Sequence, residues 1–352
     1  MRTDLNSTTQ PVKKMAIFNN WDVIANGWYI VCPSSELTRR NPVRSFTICG
    51  QRIVFFRGAD RKVRALDAYC PHMGTDLGVG KVVGNEIRCF FHHWKFNGEG
   101  ACVDIPGQSA ISEKARLRSY ATDERYGFLW VHPEAIPGET RVDYVGLNPG
   151  DTKYYVAKSY ERSCHHHVTM INGIDVQHLK TVHRLDVDMQ LEVSENPYSG
   201  MIDFSLKGEL PSHTVPEKIV RFFLGKNYEY TMRYHDGSLG CLTMMKGVKL
   251  FGNGRLLPEL HMIFAYRPLR AGKILVQPIY LTKKREGFFG GIRSQIILGL
   301  THLAFKRLQG EDGKVYENMR FNPNALQPGD APVAKFIAYI NRLKPSPWSL
   351  RE

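Results

Sequence analysis

Short apolar runs separated by turn residues dominate the first part of the chain. WYIVC (28–32), RIVFFRG (52–58) and YGFLWVHP (126–133) are rich in β-branched and aromatic residues, and glycine, proline or asparagine stands between such runs. Runs of this kind are typical of strands in all-β domains. The pattern therefore predicts a small all-β domain of about a hundred residues.

The pattern changes after this domain. The segment 133–151 carries three prolines and three glycines among few apolar residues, which is typical of a linker. Beyond it, strand-like runs alternate with helical spacing, so this larger part is predicted to be α+β. We expect an N-terminal segment (1–25), an all-β domain (26–135) and an α+β domain (136–352).

Apolar residues follow helical spacing around 171–183, over 287–320 and in FIAYINRL (336–343). The longest apolar stretch, 287–305, is interrupted by RSQ (293–295) and is too polar for a clean transmembrane helix. It is predicted to be a buried amphipathic helix, and contact with a membrane is not expected.

Composition and charge limit the classes of protein to which the chain can belong. There are 47 Lys and Arg residues against 34 Asp and Glu, a net charge of +13. These charges are scattered rather than gathered in a basic arm, so nucleic-acid binding is not expected. The first residues, MRTDLNSTTQPVKK, lack the apolar core of a signal peptide, and a cytoplasmic protein is expected. Seven cysteines form an odd set, which favours metal ligation or burial over disulfides.

Two cysteines and two histidines form the first candidate metal site. Cys70-Pro-His72 is followed, after sixteen residues, by Cys89-Phe-Phe-His92. Such a set can bind a structural zinc ion, or a two-iron cluster with two thiolates on one iron and two imidazoles on the other. Zinc fingers usually place two cysteines in one half and two histidines in the other, whereas each half here is mixed. The layout favours the iron–sulfur cluster, and zinc remains the alternative.

A second candidate site lies in the segment NGIDVQHLKTVH (172–183). Asp175 and His178 are three residues apart, so they are predicted to share one face of a helix. His178 and His183 are five apart, which separates them around an ideal helix. Both can bind one metal only if the helix is distorted or ends between them.

The first motif, CPHMGTDLGVG (70–80) with IRCFFHHW (87–94), resembles the Rieske signature, although His93 stands where many relatives have glycine. Together with the second motif it resembles the Rieske non-haem iron oxygenases. The resemblance implies an all-β Rieske domain followed by a helix-grip catalytic domain. It also implies that a [2Fe–2S] cluster is held by four residues, Cys70, His72, Cys89 and His92.

For the second site, the resemblance implies that His178 and His183 bind a mononuclear Fe(II) ion. Asp175 is then expected to bridge the iron-bound histidine and a Rieske histidine of the neighbouring subunit. The family places the third iron ligand in a helix near the C-terminal end, and LQGEDGKVYENM (308–319) fits that segment. Asp312 is the expected ligand, and the alternatives are Glu311, Glu317 and Asp330.

The activity implied by the resemblance is that of a terminal oxygenase. It would form a homotrimer and take electrons that originate from NAD(P)H through a separate ferredoxin or reductase. With O₂, it would mono-oxygenate a hydrophobic small molecule by C-hydroxylation or N-oxygenation. The Rieske segments resemble most an arylamine N-oxygenase, aminopyrrolnitrin oxygenase, and sterol-type enzymes. The alternatives are a desaturase or demethylase of sterol-like substrates, a Rieske electron carrier without oxygenase activity, and a zinc-stabilised binding module.

Overall fold

The computed structural model describes most of the chain in several stretches. These are residues 16–134, 146–147, 149–184, 189–196, 200–215, 218, 221, 226–244, 258–287, 289–317 and 319–349. The centre of the predicted linker, residues 135–145, and most of the N-terminal segment, residues 1–15, lie outside the described residues.

Ten strands form the N-terminal domain. They are β1 Tyr29–Pro33, β2 Val43–Ile48, β3 Gln51–Arg57, β4 Val63–Asp67, β5 Lys81–Val83, β6 Glu86–Arg88, β7 Lys95–Phe96, β8 Cys102–Asp104, β9 Ser119–Arg125 and β10 Phe128–His132. A six-stranded antiparallel sheet has the order β1-β10-β9-β4-β3-β2, and a four-stranded sheet has the order β5-β6-β7-β8. Tight turns close the hairpins: Cys49 and Gly50 join β2 to β3 with φ of 48° and 83°, as a two-residue hairpin turn requires.

The described residues of the larger domain form eight strands and four α-helices. The strands are β11 Thr152–Val156, β12 Tyr160–Arg162, β13 Met189–Asn196, β14 Met201–Glu209, β15 Asn227–His235, β16 Leu239–Met244, β17 Leu260–Arg270 and β18 Lys273–Lys283. The helices are α1 His166–Met170, α2 Val176–Thr181, α3 Gly290–Tyr316 and α4 Ala331–Arg342. The strands make one antiparallel sheet in the order β11-β18-β17-β16-β15-β14-β13, and β12 also pairs with β18. An antiparallel sheet with separate helices confirms the predicted α+β class.

Strands β16–β18 of this eight-stranded sheet are buried on both faces. Successive side chains of a strand point to opposite faces. In β17, Met262 and Tyr266 belong to the core beneath the helices, whereas Ile263 and Ala265 pack against the N-terminal domain. Trp28, together with other apolar residues of β1 and β10, completes the second core. Strands β16–β18 therefore separate the helix-covered core of the larger domain from a second core that is shared with the N-terminal domain.

Helix α3 differs in part from the sequence prediction. It buries Ser294, Leu298 and Tyr316 against the larger domain. However, its outward face also carries apolar side chains, which are exposed rather than buried. Among the described helices, none is both long enough and apolar enough to span a membrane.

The C-terminal segment returns to the N-terminal domain. The backbone N–H of Ser346 donates to the carbonyl of Ile24 (2.7 Å), and Ala25 pairs with Pro345 in a short bridge. Trp348 is buried in the core of the six-stranded sheet, within ring-contact distance of Tyr29 and Tyr120. A residue of the predicted segment 136–352 thus completes the core of the other domain.

Candidate metal centres

Two loops at the four-stranded sheet carry the predicted cluster ligands. The first loop connects β4 to β5 and is closed by a bond from the Cys70 N–H to the carbonyl of Thr75 (2.9 Å). The second connects β6 to β7, where the Cys89 N–H donates to the carbonyl of Trp94 (2.8 Å). Asp76 anchors the first loop, since its carboxylate accepts from the backbone N–H of Gly78 and from Arg52 of β3.

The four predicted ligands lie together at the tip of the domain. Cys70 and Cys89 are buried in one apolar cluster, whereas His72 and His92 are exposed, with ring centroids 4.6 Å apart. Burial, with the nearby Cys89, raises the pKa of the Cys70 thiol, so binding of a metal has to displace its proton. Two inner thiols and two outer imidazoles are the donors that a Rieske cluster requires, and the site fits that group.

Trp94 is a neighbour that the sequence motif did not single out as part of the site. Its ring stacks on His72 with centroids 4.6 Å apart and planes 7° apart. A stacked indole limits rotation of the imidazole, so Trp94 orients a predicted ligand. Its position two residues after His92 was the only sequence signal.

The second site forms where α2 ends. The helix stops at Thr181, so His183 lies beyond it, and the predicted helix end between the two histidines is confirmed. Asp312 reaches the same point from α3. Ligand atoms of His178, His183 and Asp312 all lie within 4.8 Å of one another. The Oδ1 atom of Asp312 is 3.0 Å from Nε2 of His183 and 3.6 Å from Nε2 of His178.

The other ring nitrogens show which atoms are free to bind a cation. Nδ1 of His178 lies 2.8 Å from the backbone oxygen of Asp175, and Nδ1 of His183 lies 2.9 Å from Oε2 of Glu311. Both partners only accept hydrogen bonds, so each Nδ1 carries the proton and each Nε2 presents a lone pair. Two lone pairs and a carboxylate oxygen of Asp312 therefore face one another, and Nε2 of His178 and Oδ1 of Asp312 are buried without a hydrogen bond. This arrangement fits a cation.

The electrostatics agree with this interpretation. Burial lowers the pKa of His178, but the Asp312 carboxylate and the Asp175 carbonyl outweigh it, so the pKa is raised. A proton is thus attracted to the point between the ligands. The histidines and one carboxylate form the two-His-one-carboxylate set that leaves coordination positions open on ferrous iron.

Further polar residues hold Asp312 in place. The side-chain N–H of Asn172 donates to its Oδ2 (2.8 Å), and the Tyr316 hydroxyl donates to Oδ1 of Asn172 (2.9 Å). This fixes the carboxylate so that its other oxygen faces the histidines. Among the alternatives from sequence, Glu311 contacts the far side of the His183 ring instead. Glu317 is exposed at the end of α3, and Asp330 lies at the start of α4.

Asp175 has a different local role from the one its spacing predicted. It does not share a helix face with His178 but precedes α2 as its N-cap, and its carboxylate accepts from the His178 backbone N–H (3.1 Å). Three-residue spacing fits a cap as well as a face. Its backbone oxygen orients the His178 ring, so the residue acts on the site through both groups.

A third cluster, CHHH (164–167), stands at the start of a helix, with His165 as the N-cap of α1. The three imidazoles are buried close together, but Nδ1 of His165 accepts from the His167 N–H and its Nε2 lies 3.2 Å from the Asn20 carbonyl. Nδ1 of His167 accepts from the Asn19 N–H. His165 therefore has no free lone pair to offer a metal, and we interpret the cluster as buried core.

A cavity of about 1040 Å³, including its open mouth, lies against the second site. Its walls are mostly apolar or aromatic, and the ligands His178, His183 and Asp312 form part of the lining. Five tyrosines and four methionines of the lining come from distant parts of the chain: Tyr160, Tyr228, Tyr230, Tyr266, Tyr316, Met170, Met189, Met232 and Met244. Sequence reasoning missed most of these residues because alternation in separate strands gives no local motif.

The chain matches known proteins along most of its length. The family model described as "Rieske [2Fe-2S] domain" matches residues 27–121. Cholesterol 7-desaturase nvd of Bombyx mori is 36% identical over 162 residues, which are 45% of this chain and 35% of that protein. The protein of the same name from Drosophila melanogaster is 25% identical over 335 residues, 90% of this chain and 74% of that protein. Aminopyrrolnitrin oxygenase PrnD of Pseudomonas fluorescens is 24% identical over 319 residues, 84% of this chain and 85% of that protein.

The fold has solved counterparts. The structure of NdmB from Pseudomonas putida CBB5 superposes with a TM-score of 0.65 at 20% identity and covers 89% of each chain. The chain spans about a third of the Bombyx mori relative, so that relative's whole activity does not transfer. The predicted Rieske domain and the predicted resemblance are confirmed: the chain carries a Rieske [2Fe-2S] domain over residues 27–121 and is similar to proteins named as oxygenases and desaturases.

Proposed function

We propose that the chain is the terminal component of a cytoplasmic oxygenase system that mono-oxygenates a hydrophobic small molecule. The observation that carries the proposal is the convergence of two imidazole lone pairs and the Asp312 carboxylate at the wall of an apolar cavity. Ferrous iron bound there would supply O₂ activation, and a Rieske cluster on Cys70, His72, Cys89 and His92 would supply electrons.

The protein's own residues have three tasks in this proposal. Asp175 and Glu311 hold the two imidazoles in one tautomer, so that Nε2 faces the metal position. Asn172 holds one oxygen of Asp312 and leaves the other for the metal. The aromatic walls exclude bulk water and bind the substrate by apolar contact.

The cavity supports a small apolar substrate. Most of the residues that line it are apolar or aromatic, which suits a hydrophobic molecule. Arg162 and Gln309 are among the few polar groups in its lining, and the Arg162 side chain donates to the Gln309 carbonyl (2.8 Å). Desaturation or demethylation of a sterol-like molecule is the second candidate, because relatives named cholesterol 7-desaturase match the chain.

The surface around the cluster ligands supports docking of other proteins. Phe90, Phe91 and Met73 lie beside the exposed ligand histidines and are themselves more than half exposed. We propose that these loops contact the Asp175 region of the next subunit in a homotrimer. A ferredoxin or reductase would deliver electrons to the same domain, and the basic net charge suits an acidic donor.

The test compares metal content, acid-labile sulfide and EPR spectra of anaerobically purified wild type, His178→Ala and Asp312→Ala. We expect a Rieske signal in all three and loss of one further iron in both variants. Glu317→Ala, on the exposed end of α3, is the matched control and keeps its iron. Oxygen uptake with NAD(P)H, a ferredoxin system and a panel of sterols and arylamines then separates the substrate classes.

Other outcomes would select the alternatives from the sequence. A Rieske signal with no second iron in wild type, after reconstitution with iron, would indicate an electron carrier. Zinc without sulfide would indicate a zinc-stabilised module. Conversion of an arene to a cis-diol would refute mono-oxygenation.

A further inference from the structure

The outward face of α3 carries a row of exposed apolar side chains, here called the α3 stripe. Its members are between 56% and 66% exposed: Phe289, Ile292, Ile296, Leu300 and Leu303. Their spacing of three and four residues places them within an arc of about 80°. The stripe runs for about 20 Å along the helix. On the opposite face, Phe305 and Leu308 line the cavity.

Basic residues flank the stripe. At 100° per residue, Arg293 lies along one side and Lys306 along the other, and both are exposed. Arg307 follows at the C-terminal end, where it lies 3.6 Å from Glu311. The exposed Lys283 and Lys284 precede the helix. Residues 283–307 contain six basic residues and one acidic residue, Glu286.

An apolar stripe with a basic residue on each side matches a helix that lies in the plane of a lipid surface. Such helices bury the apolar face at the boundary of headgroups and acyl chains, while Lys and Arg extend to anionic headgroups. We propose that the α3 stripe binds the surface of an anionic membrane. The helix lies on the surface and does not span the bilayer, since no described helix is both long enough and apolar enough to do so.

Two other occupants fit the face less well. A second copy in a two-fold pair would bring the basic residues beside the stripe from both copies into one interface, and like charges there oppose pairing. Centres of protein interfaces are enriched in Met, Arg and aromatic residues, whereas four of the five stripe residues are Ile or Leu. Charge and composition together favour lipid.

The proposal is independent of the oxygenase chemistry and adds to it. Lipid binding on one face of α3 would bring the cavity wall on its other face close to the membrane. Apolar substrates of the proposed class partition into bilayers, so the surface would raise their local concentration.

The test is co-sedimentation of the full-length, cluster-containing protein with vesicles. Phosphatidylcholine vesicles with about 30% phosphatidylserine are compared with phosphatidylcholine alone, at low and high salt. We expect binding to the anionic vesicles that weakens at high salt. Ile296→Gln with Leu303→Gln, and separately Arg293→Gln with Lys306→Gln, should each lower the partition coefficient about tenfold. Val215→Ser, an exposed apolar residue away from α3, is the matched control and leaves it unchanged.

Circular dichroism and the visible spectrum of the cluster check that each variant folds. Folding is expected, because the substituted positions are exposed. Absence of wild-type binding to anionic vesicles would overturn the proposal. Binding of the Ile296→Gln/Leu303→Gln variant that equals wild-type binding would also overturn the proposal. A smaller oligomer for that variant in light scattering would also overturn it, because the stripe would then be covered by a second copy.

Discussion

Removal of the Glu311 carboxylate tests how the second site is built. Oε2 of Glu311 lies 2.9 Å from Nδ1 of His183 and fixes the proton on that nitrogen. When a carboxylate that orients a metal-bound histidine is removed, affinity for the metal typically falls 10- to 100-fold. The Glu311 side chain is 32% exposed, whereas His183 is 3% exposed, so water partly replaces the lost bond. We therefore expect Glu311→Ala to lower affinity for Fe(II) about tenfold, at the low end of that range.

The assay is competition with a colorimetric Fe(II) chelator, with cluster absorbance as a measure of folded protein. Glu311→Gln should fall between wild type and Glu311→Ala, since an amide oxygen still accepts the bond but carries no charge. Glu317→Ala is the control on the same helix. Unchanged affinity in Glu311→Ala would refute the orienting role. Complete loss of the iron, as for Asp312→Ala, would make Glu311 itself the ligand.

Three further predictions concern stability. Burial lowers the pKa of His165 to about 4 from 6.5, so stability present above pH 6.5 should fall as the pH drops towards 4, by about 1.4 kcal/mol per unit. Urea unfolding should give a lower free energy of unfolding at pH 5 than at pH 7, and this difference should be smaller in His165→Gln. An equal free energy of unfolding at the two pH values would contradict the prediction. Phe336→Ala should cost about 3–5 kcal/mol in the same assay, because the ring is fully buried against Tyr234, and a cost below about 1 kcal/mol would refute that packing. His93 has a φ of 62°, so His93→Gly should raise the thermal midpoint while the cluster spectrum stays unchanged; a lost cluster would refute this.

The parts of the sites that were predictable are those encoded over short distances. One residue separates Cys70 from His72, and the spacing of His178 and His183 required either a distorted helix or a helix end, of which the structure shows the end. Residues this close in sequence are brought together by a single loop or helix end, without contacts from distant parts of the chain. His93, which stands where many relatives have glycine, has the left-handed φ that glycine favours.

The parts that were not predictable depend on distant packing. Glu311 and Asp312 are adjacent in sequence, and only the docking of α3 against α2 decides which carboxylate faces the Nε2 atoms. Asp175 was placed inside a helix because a cap and a helix face share the same spacing. The exposure of the α3 stripe could not be read from its amphipathic pattern, since both of its faces carry apolar residues.

The packing of Trp348 against Tyr29 and Tyr120 has a consequence for synthesis on the ribosome. The strands of the six-stranded sheet emerge before Trp348, a buried side chain of their core that follows the end of β10 by about 216 residues. At typical elongation rates the delay is roughly tens of seconds. During that time the nascent domain exposes the surface that Trp348 later covers, together with the face that packs on β16–β18. The cluster domain is thus a late-completed part of the chain, and protection of the nascent chain by chaperones matters most for its N-terminal part.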